Sequence, residues 1–78
     1  MVAISEIPQI IAANLGVPAV HVRPESKASD FSEWDSLRHL LLVMEIEEKF
    51  GFKFALEEIA RMDSVDKIVA AVQKRIAA

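Results

Sequence analysis

The amino-acid sequence predicts an all-α fold of four helices with a long first loop. Three observations carry that expectation. Apolar residues recur at one-face helical spacing in three separate stretches. Hydrophobic residues make up 53% of the chain but aromatics only 6%, so the core must be aliphatic, the usual filling of a small helical bundle. Glycine occurs only 2 times, too rarely for a turn-rich β fold. With 78 residues the chain is expected to form a single domain, 1–78, near the lower limit for a self-supporting core.

The first helix is expected to start at Ser5 as cap, with Glu6 in the favourable first turn. Ile7, Ile10, Ile11 and Leu15 form its apolar face and Gly16 stops it. Pro8 is tolerable because it lies in the first turn. From Gly16 to Trp34, Pro18, Pro24 and the mixed SKASDFSEW segment predict loop. Roughly twenty residues of loop is uncommon in a compact domain unless it is functional or anchored by its own side chains, and Val17, Val20, Val22 and Phe31 are the expected anchors. The second helix runs from Asp35 or Ser36 to about Phe50 and closes at Gly51. A short third helix fits Leu56 to Arg61, after the extended FKF. The last begins at Asp63 or Ser64 and buries Val65, Ile68, Val69, Val72 and Ile76.

Charge and composition exclude several function classes. The net charge of −3 repels phosphate backbones and anionic lipid heads, which argues against nucleic-acid and membrane partners. A nucleic-acid binder using Lys67, Lys74 and Arg75 is disfavoured on the same ground. With Cys 0 there is no disulfide, thiolate nucleophile or cysteine zinc site. The start, MVAISEIPQIIAANLG, lacks a basic n-region and a membrane-length apolar run, so it reads as mature protein in the cytoplasm.

The second helix raises the functional question. At 100° per residue His39, Leu42, Val43, Ile46 and Phe50 share the expected core stripe. Leu37, Leu40, Leu41 and Met44 fall on a second apolar stripe next to Ser36, interleaved with Glu47 and Glu48. One helix in so small a domain can hardly bury both: either the LLLVM run packs the interior from several sides, or the second stripe is an exposed patch that meets a partner protein. Glu45, Glu47 and Glu48 read as a solvated acidic face rather than metal ligands.

Ser36 follows Asp35 at the helix start, where Asp and Ser are common caps. A catalytic serine needs a base and an oxyanion hole. His21 lies in the loop, His39 is expected to point into the core without an orienting carboxylate, and no G-x-S-x-G elbow occurs. Ser36 is therefore a residue acted upon. The helix start, with its free N–H groups and positive dipole end, suits a phosphate esterified there.

The arrangement resembles the acyl carrier proteins and their peptidyl and aminoacyl carrier relatives. WDSL at Trp34 to Leu37, IEEKFG at Ile46 to Gly51 and SVDKIV at Ser64 to Val69 carry the resemblance, which covers nearly the whole chain. It implies a four-helix bundle whose Ser36 receives 4′-phosphopantetheine from coenzyme A through a separate transferase. The arm's thiol would hold acyl or aminoacyl groups as thioesters, so that a chain without cysteine carries activated acids. Asp35 would cap the helix and help the transferase recognise the site, and Leu37 would anchor the loop junction. Leu37, Leu40, Leu41, Met44, Glu47 and Glu48 would meet partners. Arg38 and Leu41 stand where the family commonly has acids, and Glu33-Trp34 replaces the Gly-Ala pair common in housekeeping fatty-acid carriers.

The expectation is a monomeric, non-catalytic carrier, without a metal, serving fatty-acid, polyketide or related biosynthesis. Its partners would be a phosphopantetheinyl transferase, an acyl- or aminoacyl-loading ligase and downstream synthases. The alternative is a helical adaptor that binds through the Leu37, Leu40, Leu41 and Met44 stripe, with Ser36 only a cap.

Overall fold

Gly16 and Gly51 take left-handed backbone angles, φ 72° and 79°, and each closes a helix. In both cases the glycine N–H donates to a carbonyl four residues back, Ala12 and Glu47, the usual ending where only glycine escapes a Cβ penalty. In the computed structural model, which describes residues 3–77, four α-helices follow one another. They are α1 (Ile7–Leu15), α2 (Ser36–Phe50), α3 (Leu56–Arg61) and α4 (Val65–Ala77). Short 3-10 turns lie at Ile4–Glu6, Ala19–His21 and Ala28–Asp30. No helix among the described residues is long and apolar enough to cross a membrane.

Three helices supply the centre of the core. Ile7, Ile11 and Leu15 of α1, Leu42, Val43 and Ile46 of α2, and Val65, Ile68 and Val72 of α4 are all at most 1% exposed. Each such side chain contributes about 1.5 to 3 kcal/mol relative to exposure. The short α3 buries no residue fully and is held by polar ties instead. Glu58 accepts from the Ala55 N–H at 2.9 Å and pairs with Arg75 of α4. Arg75 also donates to the Lys53 carbonyl at 2.8 Å, with its guanidinium 5.5 Å from the Phe54 ring centre.

The chain enters α1 otherwise than expected. Ser5 is not its cap: a 3-10 turn precedes the helix, and Glu6 Oε2 accepts from the Ala3 N–H at 2.6 Å. Pro8 then stands at the start of α1, so one of the amides a cap would serve is missing.

The long loop is anchored at both ends and in its middle. Val22 is buried, and Val17 and Phe31 are half-buried against the core, but Val20 is 75% exposed. Val20 sits mid-way in the turn Ala19–His21, between Val17 and Val22, which take the inward positions. Ser26 is buried and its Oγ accepts from the Arg23 N–H at 2.9 Å. The Ala28 N–H donates to the Asp63 carbonyl at 2.8 Å, and the Val65 N–H to the Ser26 carbonyl at 3.0 Å. These bonds tie the loop to the start of α4 and satisfy its backbone.

Four expected core residues are less covered than their periodicity implies, His39 and Val69 being half-buried as well as the two that follow. Phe50 is half-buried in the last turn of α2, its ring 6.5 Å from that of Phe52. Ile76 is 50% exposed, one turn beyond Val72, the last fully buried residue of α4. Ser64 caps that helix by accepting from the Lys67 N–H at 3.2 Å.

Candidate functional site

Asp35 is the N-cap of α2: its extended backbone leads into the helix and its Oδ1 accepts from the Arg38 N–H at 2.8 Å. Ser36 is thus the first helical residue, not the cap, and its exposed Oγ makes no hydrogen bond among the described residues. Its N–H and that of Leu37 also have no partner among those residues. Two free amides at the positive end of a helix beside an unengaged hydroxyl form a fitting seat for a phosphodiester.

Among the described residues no base reaches that hydroxyl. His39, one turn along, has both ring nitrogens occupied: Nδ1 accepts from the Trp34 indole N–H at 2.9 Å, and Nε2 lies 2.7 Å from the Ile59 carbonyl. An indole nitrogen can only donate, so Nδ1 must be bare and Nε2 must carry the proton. His21 is exposed on its distant turn. A surface groove, lined by Leu41, Met44, Glu48, Phe52 and Lys53 among others, is open to solvent and does not include Ser36.

The outer stripe of α2 faces solvent. Leu37 is 64% exposed, Met44 53%, Leu41 45% and Leu40 43%. Leu37 therefore does not anchor the loop junction. Trp34 does so instead, buried beside Phe31 with the ring centres 6.2 Å apart.

Glu48 lies on the surface, but Glu47 does not belong to the solvated acidic face. It is buried, and its Oε2 accepts from the Phe54 N–H at 2.7 Å, serving an amide that the turn after Gly51 leaves without a backbone partner. Glu45 is partly buried and accepts from Asn14 Nδ2 at 3.0 Å. Arg38 is turned away from the stripe: its Nη1 donates to the Asn14 and Leu15 carbonyls at 3.0 and 3.2 Å, closing the C-terminus of α1.

Two functional features were missed in the sequence, the Trp34–His39–Ile59 chain and the Arg38 clamp. A donor-only indole five residues before a histidine at a helix start was the available signal for the first. The second had none, because its carbonyls lie 24 and 23 residues away.

The structure thus sets an exposed serine, whose hydroxyl has no hydrogen-bond partner among the described residues, at the start of α2. A family model described as "Phosphopantetheine attachment site" matches residues 5–72. The chain is 31% identical over 70 residues to the acyl carrier protein of Solidesulfovibrio magneticus, covering 90% of each chain. It is 36% identical over 66 residues to that of Rubrobacter xylanophilus, covering 85% of this chain and 82% of the other. A solution NMR structure of holo acyl carrier protein from Geobacter metallireducens matches with a TM-score of 0.82 at 27% identity, over 99% of this chain and 88% of that one. The chain belongs to the acyl carrier protein family, whose members bear 4′-phosphopantetheine covalently. Its role is that of a carrier.

Proposed function

We propose that Ser36 is the attachment residue and that the chain, a single carrier domain over 1–78, conveys acyl or aminoacyl intermediates between enzymes of fatty-acid, polyketide or related biosynthesis. The observation that carries the reading is the free Ser36 hydroxyl beside the unpartnered Ser36 and Leu37 amides at the α2 start. In the loading step Ser36 Oγ forms a phosphoester, the phosphoanhydride of coenzyme A breaks, adenosine 3′,5′-bisphosphate leaves, and the hydroxyl proton passes to a base of the transferase. The attached group supplies a terminal thiol on a long arm, and so a thioester carrier for a chain with Cys 0.

Each flanking residue has its own part. Asp35 fixes the turn through the Arg38 N–H and offers its remaining carboxylate oxygen to the transferase. The free amides and the helix dipole favour the phosphodiester charge by about 0.3 to 1 kcal/mol. Leu37, Leu40, Leu41 and Met44 form the docking stripe for the transferase, a loading ligase and downstream synthases, with Glu48 as its acidic edge. The carrier works as a monomer in the cytoplasm. The adaptor alternative keeps its exposed stripe but not its account of Ser36, because Asp35 is the cap.

Intact mass after incubation with coenzyme A and a broad-specificity phosphopantetheinyl transferase tests the reading. One phosphopantetheine is expected on the wild type and none on Ser36→Ala, with the helical circular dichroism of the two alike. An adduct that persists on Ser36→Ala, or none on the wild type, rejects it.

A further inference from the structure

We infer that His39 is a positioning residue which, only in its neutral form, latches the segment before Ser36 to α3, so that acidification slackens the modification site; the effect on loading rests on Ser36 being the attachment residue. Trp34 is buried and stands two residues before Ser36. Its only polar atom donates to His39 Nδ1, and His39 Nε2–H donates to Ile59 of α3. The chain of bonds thus runs from the modified turn, through the first turn of α2, to the short helix that buries no side chain fully.

Both bonds require one tautomer. Adding a proton to Nδ1 turns the acceptor into a donor, sets two N–H groups against each other and leaves a buried indole N–H without an acceptor. The Nε2–H bond to Ile59 survives, so protonation releases the Trp34 end specifically. The latch is therefore closed while the His39 imidazole is neutral and opens when Nδ1 takes a proton.

Few charges compete for the imidazole. On α2, the Asp35 carboxylate is held by the Arg38 N–H and the Arg38 guanidinium by the α1 carbonyls. On α3, Glu58 is paired with Arg75, leaving Glu57 and Arg61; the segment bearing Trp34 adds Asp30 and Glu33, of which Asp30 accepts from the Lys27 N–H and Glu33 from the Ser32 hydroxyl. Among the described residues no carboxylate forms an ion pair with His39.

The test compares wild type with Trp34→Phe, which keeps an aromatic ring but removes the indole donor together with some buried volume, a loss that does not vary with pH. Loading rates are measured with one transferase across about pH 8 to 5.5, where imidazoles titrate, and taken as a ratio at each pH so that the transferase's own titration cancels. The wild type should load faster at the alkaline end by about three- to tenfold, the worth of one net hydrogen bond, and the two should converge at the acidic end. In 15N-labelled wild type the single Trp indole N–H should shift with the midpoint of the His39 ring resonances, which should report the Nε2–H tautomer at high pH. A constant ratio across the range, or an indole N–H indifferent to His39, overturns the latch. Absence of loading at every pH in both proteins rejects Ser36 as attachment residue instead, and the indole resonance then still decides whether the latch exists.

Discussion

Glu47 is the residue whose surroundings most change its reading. On the helical wheel it stands with Glu45 and Glu48 and invites assignment to a charged docking face, yet it is buried and holds the Phe54 amide. Removing that acceptor strands a buried donor, so Glu47→Ala should cost about 1 to 3 kcal/mol. Glu47→Gln keeps an acceptor oxygen and should recover most of the loss. Urea unfolding of the three proteins checks this; equal destabilisation by Ala and Gln would mean that the charge rather than the acceptor matters. Asp35, by contrast, was legible as a cap because capping is a property of neighbours in sequence.

α3 was placed correctly from sequence, Leu56 to Arg61, but how it is held was not. Its Glu58 carboxyl is held below the usual carboxylate range, first by the Ala55 N–H and then by the charge of Arg75. A group whose pKa is lowered on folding contributes stability above its unfolded pKa and loses it as pH falls through the folded value. The wild type should therefore lose part of its melting temperature on acidification from about pH 6 to 3 that Glu58→Gln, already without it, does not lose. Parallel pH profiles for the two would reject this role of Glu58. Asp63, lowered by its bond to Lys67, acts in the same direction, so the comparison must keep it unchanged in both proteins.

Across the whole bundle, α2 separates two apolar stripes with different consequences. Ile46 is fully buried, and Ile46→Ala should cost about 2 to 5 kcal/mol, a large part of the stability of so small a domain. Leu41 is 45% exposed, and Leu41→Ala should cost far less while slowing loading by the transferase. With Glu47 buried and Arg38 committed to α1, the face beside Ser36 carries little free charge. Loading should then fall only modestly between low and about 0.1 M salt, where the Debye length is about 10 Å, and Leu41→Glu should steepen that dependence. A collapse of wild-type loading at moderate salt, with Leu41→Ala unaffected, would assign recognition to charge. The sequence by itself determined the four-helix order, the glycine ends of α1 and α2, the span of α3 and the family, because periodicity, capping and short motifs act between residues a few positions apart. Only the tertiary structure decided that Glu47 is internal, that Arg38 closes α1 24 residues away, and that His39 joins Trp34 to a carbonyl 20 residues on. Those outcomes depend on which orphaned backbone groups the packing brings within about 3 Å of a side chain, and hydrophobic spacing along one helix contains no information about them.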